Sequence, residues 1–340
     1  MKLANQIRTV SSALFIWFAA TNASAQVSYE RILNSADEPE NWLTYNGGYK
    51  SQRYSQLDQI TPENVTDLKL QWTLQNQVFG AWQSNPIVVD GIMYVTERPN
   101  TVMAVDAITG RVFWKYRHVP AENALICCGA NNRGVAVLDD KVFMGTLDAR
   151  LVAIDRVTGS ALWDVEVGDV DLAYSVTMAP LVVKDKVIVG VGGGEFGIRG
   201  YVAAYDAQTG EEAWKTYTIP GPGEPNHDSW EGDDWQHGGA PVWITGSFDP
   251  ELNLTYWGVG NPGPDWNAGQ RPGDNLYSDS VIALDADTGE LKWHFQFTPN
   301  DAYDYDAVQV PVLADIVWRG TPSKIMMWAN RNGYFYVLDR

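Results

Sequence analysis

AVDAITGRVFW (104–114), AIDRVTGSALW (153–163), AYDAQTGEEAW (204–214) and ALDADTGELKW (283–293) are four copies of one unit. Each runs small residue, apolar residue, Asp, two free positions, Thr-Gly, three free positions and Trp. The apolar residues before the Asp mark the end of a strand. Asp-x-x-Thr-Gly then makes a turn, because the carboxylate can accept backbone N–H groups and Gly tolerates a positive φ. The residues leading to the Trp return as a second, antiparallel strand. A large ring at the same place in every unit can pack against the neighbouring unit.

Working outward, the repeated Asp residues 106, 155, 206 and 285 stand 49, 51 and 79 residues apart. A second strand pair precedes the unit, as in PIVVDGIMYVT (86–96) and PLVVKDKVIVGV (180–191). About fifty residues of strand and turn fit one four-stranded propeller blade. One blade cannot bury both faces, so blades must stack around an axis. The fold class is therefore all-β, a β-propeller of four-stranded blades. A linear solenoid would use shorter units. The 79-residue step predicts an insertion, placed at Pro220 to Gly239. A fifth copy starts at Val337-Leu338-Asp339.

Composition agrees: 15 Trp and 31 Gly in 340 residues, 45% hydrophobic, favour β structure with a large core. A net charge of −18 argues against a nucleic-acid partner, whose phosphates it would repel. Residues 1–25 read as a signal peptide: Lys2 and Arg8, a short apolar run ALFIWFAA (13–20), then Ala23-Ser24-Ala25 as a cleavage site. That predicts export to the periplasm, no membrane span once the leader is removed, and a propeller domain from 26 to 340. The two cysteines, Cys127 and Cys128, are adjacent. Export permits a bond between them, which would close a tight ring; two free buried thiols are the alternative. None of the four His residues has metal-ligand spacing.

Several further stretches carry candidate chemistry. GVGGGEFGIRG (190–200) offers bare backbone and one carboxylate, and no helix follows to make it a nucleotide loop. GGAPVW (238–243) ends in a Trp outside the repeating position, GVGNP (258–262) supplies an amide, and TPNDAYDYDAVQ (298–309) is acidic. The Asp-x-x-Thr-Gly-x-x-x-Trp core resembles the tryptophan-docking motif of quinoprotein alcohol dehydrogenases, and WLTYNGGYKSQRYSQLDQITPENV (42–65) and CCGANNRG (127–134) resemble other segments of that family. These enzymes use pyrroloquinoline quinone (PQQ) and fold as eight-bladed propellers, of which this chain would cover about the first half.

The resemblance implies roles for particular residues. A Cys127–Cys128 ring and Trp243 would hold the two faces of PQQ. Val242, where the family often has Thr, removes one hydrogen bond. Gln83 (often Glu in the family), Arg133, Thr177, Gly192, Gly193, Gly194 and Arg331 would complete the cofactor site. Glu195, Asn261 and Asp304 would bind a metal ion, with Asp304 also the catalytic base and Arg331 stabilising charge on the quinone oxygen. Asp306, two residues beyond Asp304, would point to the same side if the segment is extended. Calcium enzymes of the family have a small uncharged residue there. Three carboxylates suit a trivalent lanthanide ion, and Ca2+ is the alternative. The implied reaction is oxidation of a small primary alcohol to an aldehyde, with a soluble c-type cytochrome taking the electrons. The rival readings are a non-catalytic propeller serving assembly or binding, and a sugar-oxidising quinoprotein.

Overall fold

The computed structural model describes residues 26–340, so the leader expected at 1–25 lies outside the described residues. After a short helix, α1 (Tyr29–Leu33), come five antiparallel sheets, each a simple meander. The first contains β1 (Ile87–Val89), β2 (Ile92–Glu97), β3 (Thr101–Asp106) and β4 (Val112–Arg117). The second contains β5 (Ala136–Leu138), β6 (Lys141–Gly145), β7 (Arg150–Asp155) and β8 (Ala161–Glu166). The third contains β9 (Leu181–Val183), β10 (Lys186–Gly190), β11 (Tyr201–Asp206) and β12 (Glu212–Tyr217). The fourth contains β13 (Ser247–Asp249), β14 (Leu254–Gly258), β15 (Ser280–Asp285) and β16 (Leu291–Gln296). The fifth has three strands, β17 (Val312–Trp318), β18 (Thr321–Ala329) and β19 (Phe335–Asp339).

The repeat explains the sheets. In all four complete copies the Asp accepts the N–H groups two and three residues on, as Asp106 does from Ile108 and Thr109. The following glycines, 110, 159, 210 and 289, have φ of +74° to +78°. The four Ala residues 104, 153, 204 and 283 stand opposite Trp114, Trp163, Trp214 and Trp293, and the register slips immediately after each pair. A small residue there leaves room for the ring, and the bulge turns the outer strand.

Each ring then reaches into the next sheet. Trp114 covers Gly159 and donates from Nε1 to Arg156 O (3.0 Å). Trp163 does the same on Gly210 and Ala207 O, and Trp214 on Gly289 and Ala286 O. The turn of one unit is thus the docking seat for its predecessor's Trp. A further ring was not legible in the repeat: Trp72, which follows no Asp-x-x-Thr-Gly, docks on Gly110 and Ala107 O.

Middle strands such as β3 and β7 are buried on both faces, whereas the outer strands β4 and β8 alternate. One apolar cluster runs from Val27 to Ala286 through the first four sheets. The predicted insertion needs correcting. The extra length of the fourth unit is divided between the 218–246 connection and the 259–279 connection, since both depart from the spacing of the other sheets. Among the described residues no helix is long and apolar enough to cross a membrane.

Candidate active site

A meander reverses direction at every strand, so connections leaving even-numbered strands emerge at one end of each sheet. The Asp-x-x-Thr-Gly turns all lie at the other end. The connections after β4, β8, β10, β12, β16 and β18 meet, with Gln83 from the segment before β1, around a cavity of about 320 Å³. Its wall includes Gln83, Cys127, Cys128, Arg133, Thr177, Gly192, Gly193, Glu195, Trp243, Asp304, Asp306 and Arg331. Of the predicted residues, Gly194 and Asn261 are missing from the wall. Gly194 sits between two lining residues, and Asn261 is buried one layer behind them. Sequence reading missed Gly129, Asn131, Ser175 and Pro241, although each lies within two residues of a predicted one.

Cys127 and Cys128 are bonded to each other. Asn131 ties this ring down, donating from Nδ2 to Cys128 O (3.0 Å), while its buried Oδ1 has no hydrogen-bonding partner among the described residues. Arg133 donates to Thr177 Oγ1 at 2.8 Å, so these two expected cofactor contacts are also paired with each other. The Arg133 guanidinium lies 4.7 Å from the Trp243 ring centroid, and burial pushes its pKa down. A cation, a hydroxyl, an indole face and the bare backbone of Gly192 and Gly193 suit a flat ligand bearing carboxylates.

The acidic loop is built rather than merely solvated. Asp301, 1% exposed, accepts the backbone N–H groups of Tyr303 and Tyr305. The segment is not extended, as the side-chain argument required. Asp304 and Asp306 both have positive φ, +59° and +51°, and it is this local coiling that sets both carboxylates on the cavity wall. Asp306 Oδ1 accepts Trp243 Nε1 (3.2 Å) and the Asn261 N–H (3.3 Å), and Oδ2 meets Arg331 Nη1 (3.3 Å). Burial, and then the neighbouring Asp304, push the Asp306 pKa up to about 7. Asp304 makes no hydrogen bond among the described residues; burial, then Asp265, raise its pKa, and Arg331 opposes. Glu195 is exposed and turned toward the ring, with Oε1 3.9 Å from Cys128 Sγ. The oxygens of Glu195, Asp304 and Asp306 do not all lie within 4.8 Å of one another. Their chemistry nevertheless fits a hard cation: three carboxylates on one wall, two of them, Asp304 and Asp306, destabilised by burial and by neighbouring carboxylates.

Behind the loop stands Asp279, fully buried, accepting the Ala307 N–H at 3.2 Å. Burial, then the Asp301 and Asp306 carboxylates, push its pKa up to about 9. A raised folded-state pKa means the fold holds a proton that the unfolded chain releases above about pH 4. This group therefore erodes stability as pH climbs toward 9. Asp279→Asn should flatten that decline, read as melting temperature from pH 5 to 9. Parallel curves for the two proteins would refute a protonated Asp279.

The sequence profile of a family described as "PQQ: Glucose/ethanol/alcohol dehydrogenase, beta-propeller domain" matches residues 42–340. The chain is 45% identical to the quinohemoprotein alcohol dehydrogenase ADH-IIG of Pseudomonas putida, over 98% of this chain and 49% of that protein. It is 40% identical to the lanthanide-dependent methanol dehydrogenase of Methylacidiphilum fumariolicum (strain SolV), over 92% of this chain and 55% of that one. A solved europium-containing methanol dehydrogenase superposes with a TM-score of 0.87 at 39% identity, covering 92% of this chain and 58% of that one. The chain spans about half the length of the curated relatives it matches.

Proposed function

Since the chain belongs to the PQQ-dependent glucose/ethanol/alcohol dehydrogenase family through its β-propeller domain, we propose that the protein oxidises a small primary alcohol to an aldehyde, using PQQ and a metal ion held in the 320 Å³ cavity. One observation carries this reading: connections from all five sheets deliver the ring of Cys127 and Cys128, Arg133, Thr177, Trp243, Asp304, Asp306 and Arg331 to one cavity. A propeller serving only assembly has no need of that convergence.

Residue by residue, Arg133 and Thr177 would bind the carboxylates of PQQ, and Trp243 and the disulfide would pack on its rings. Glu195, Asn261, Asp304 and Asp306 would hold the cation. Bound PQQ supplies a two-electron acceptor and the cation a Lewis acid that polarises it. Asp304, whose carboxylate has no hydrogen bond among the described residues, would receive the proton of the substrate hydroxyl at a side-chain oxygen. Arg331, half exposed at the rim, balances the negative charge that builds up during oxidation. We assign the protein to the periplasm, on the leader pattern at 1–25, and its electrons to a soluble c-type cytochrome, on the family resemblance.

The metal assignment is a lanthanide rather than Ca2+, on the strength of Asp306 as a third carboxylate. Stripping the protein with chelator should abolish PQQ-dependent alcohol oxidation, measured with an artificial dye acceptor. La3+ should restore it better than Ca2+. Asp306→Ala should reverse that order, because two carboxylates balance a divalent ion. Restoration by Ca2+ alone in the unmodified protein would overturn the lanthanide assignment.

A further inference from the structure

The strongest unassigned feature lies behind the cavity wall, at Asp265. Asn261 is 2% exposed, and its polar groups are nearly all committed. Its backbone N–H goes to Asp306 Oδ1, its carbonyl accepts Ala240 N–H (2.8 Å), and its side-chain Nδ2 donates to Asp265 Oδ1 at 2.6 Å. Only Oδ1 is left without a hydrogen bond among the described residues. That oxygen looks toward Gly194, 3.8 Å from where a Cβ on that glycine would sit, between the cavity-lining Gly193 and Glu195.

A side-chain amide can turn over, exchanging oxygen for nitrogen with little change of shape. An ionised carboxylate offers only acceptors, so it attracts the NH2 end and repels the carbonyl end. Asp265 itself is held firmly. Arg271, fully buried, donates from Nε to Pro264 O (3.2 Å) and from Nη2 to Asp265 O (3.3 Å). The same guanidinium bonds Asp301 O and Asn275 Oδ1, so one buried cation fastens the Asp265 segment to the base of the acidic loop.

We propose that Asp265 is a positioning residue that fixes the amide of Asn261 one way round, reserving its oxygen for the cation. This rests on the metal site proposed above and adds the group that orients one of its ligands. Partners behind a first ring of ligands commonly change metal affinity by about 10–100-fold when removed.

The test is direct binding of Tb3+ to the intact protein freed of metal and PQQ, followed by indole-sensitised terbium luminescence. Asp265→Ala should weaken Tb3+ by about 10–100-fold. Asp265→Asn, whose amide can either accept from Nδ2 or donate to Oδ1 and so no longer selects one orientation, should lose part of that affinity as well. In an Asn261→Ala background, Asp265→Ala should cost nothing further. Wild-type binding by Asp265→Asn would mean that an acceptor-only group is not needed to fix the amide, and would overturn the proposal. So would unchanged binding by Asp265→Ala, or a full further loss on top of Asn261→Ala. If Glu195→Gln and Asp304→Asn leave Tb3+ affinity untouched, the cavity is not the cation site at all, and the functional reading falls with the proposal. Melting curves of the Asp265→Asn protein separate these results from misfolding.

Discussion

Asp304→Asn will lower kcat for alcohol oxidation by about 10²–10⁴-fold, the usual loss when a positioned base is removed, while the protein keeps its fold. The substitution conserves shape in a loop whose frame is supplied elsewhere. Asp301 holds Tyr303 and Tyr305 by their backbones, and Asp279 holds Ala307. Asp304 contributes no hydrogen bond to that frame, so little structure depends on it. Because Asp304 is also a proposed cation ligand, the measurement needs two controls. Metal content of the variant must be determined, and kcat compared at saturating metal. The pH profile separates the roles further. A base works when deprotonated, so kcat/KM of the metal-loaded enzyme should fall on the acid side as Asp304 takes up a proton. In the variant that limb should vanish. Turnover within a few-fold of wild type, with metal bound, would remove Asp304 from the chemistry.

Trp214→Ala should cost about 3–5 kcal/mol of stability, the range for a large buried ring cut back to a methyl group. Trp214 is 8% exposed, covers Gly289 of the following sheet and donates to Ala286 O. Its loss therefore opens a void between two sheets and strips a carbonyl of its partner. Gly289→Ala attacks the same joint from the other side. Its φ of +74° disfavours any side chain, and a Cβ there would stand 2.5 Å from Trp214 Cε3. The two costs should not add. With the ring gone that clash disappears, leaving the backbone cost of about 1–2 kcal/mol and a contact with Thr216 Oγ1, which a Cβ would meet at 2.8 Å. Equilibrium denaturation of the two single variants and the double variant checks this. Full additivity would mean that ring and glycine do not form one joint.

The docking joint was legible because every unit repeats each of its parts within eleven consecutive residues: a carboxylate for the turn, a glycine for positive φ, a small residue opposite an indole. The candidate cavity residues could be picked out by resemblance, and nearly all of them line one wall. Their mutual arrangement could not be read that way. The Asp304–Asp306 segment, which would align the two side chains if extended, is a coiled one, the insertion is split between two connections, and Asn261 stands behind the wall. Asp265, Arg271 and Asp279 gave no signal, since a charged residue in a Gly- and Pro-rich connection reads as solvated until its surroundings are known.

What the residues determined unaided is the repeating blade and the order in which blades join, because turn and strand preferences act between near neighbours in the chain. Which carboxylates are desolvated, which N–H each accepts, and which way the Asn261 amide is held were decided only by the tertiary structure. Burial and charge–charge repulsion depend on what stands within a few ångströms. Around this cavity those neighbours come from segments as far apart as Gln83 and Arg331.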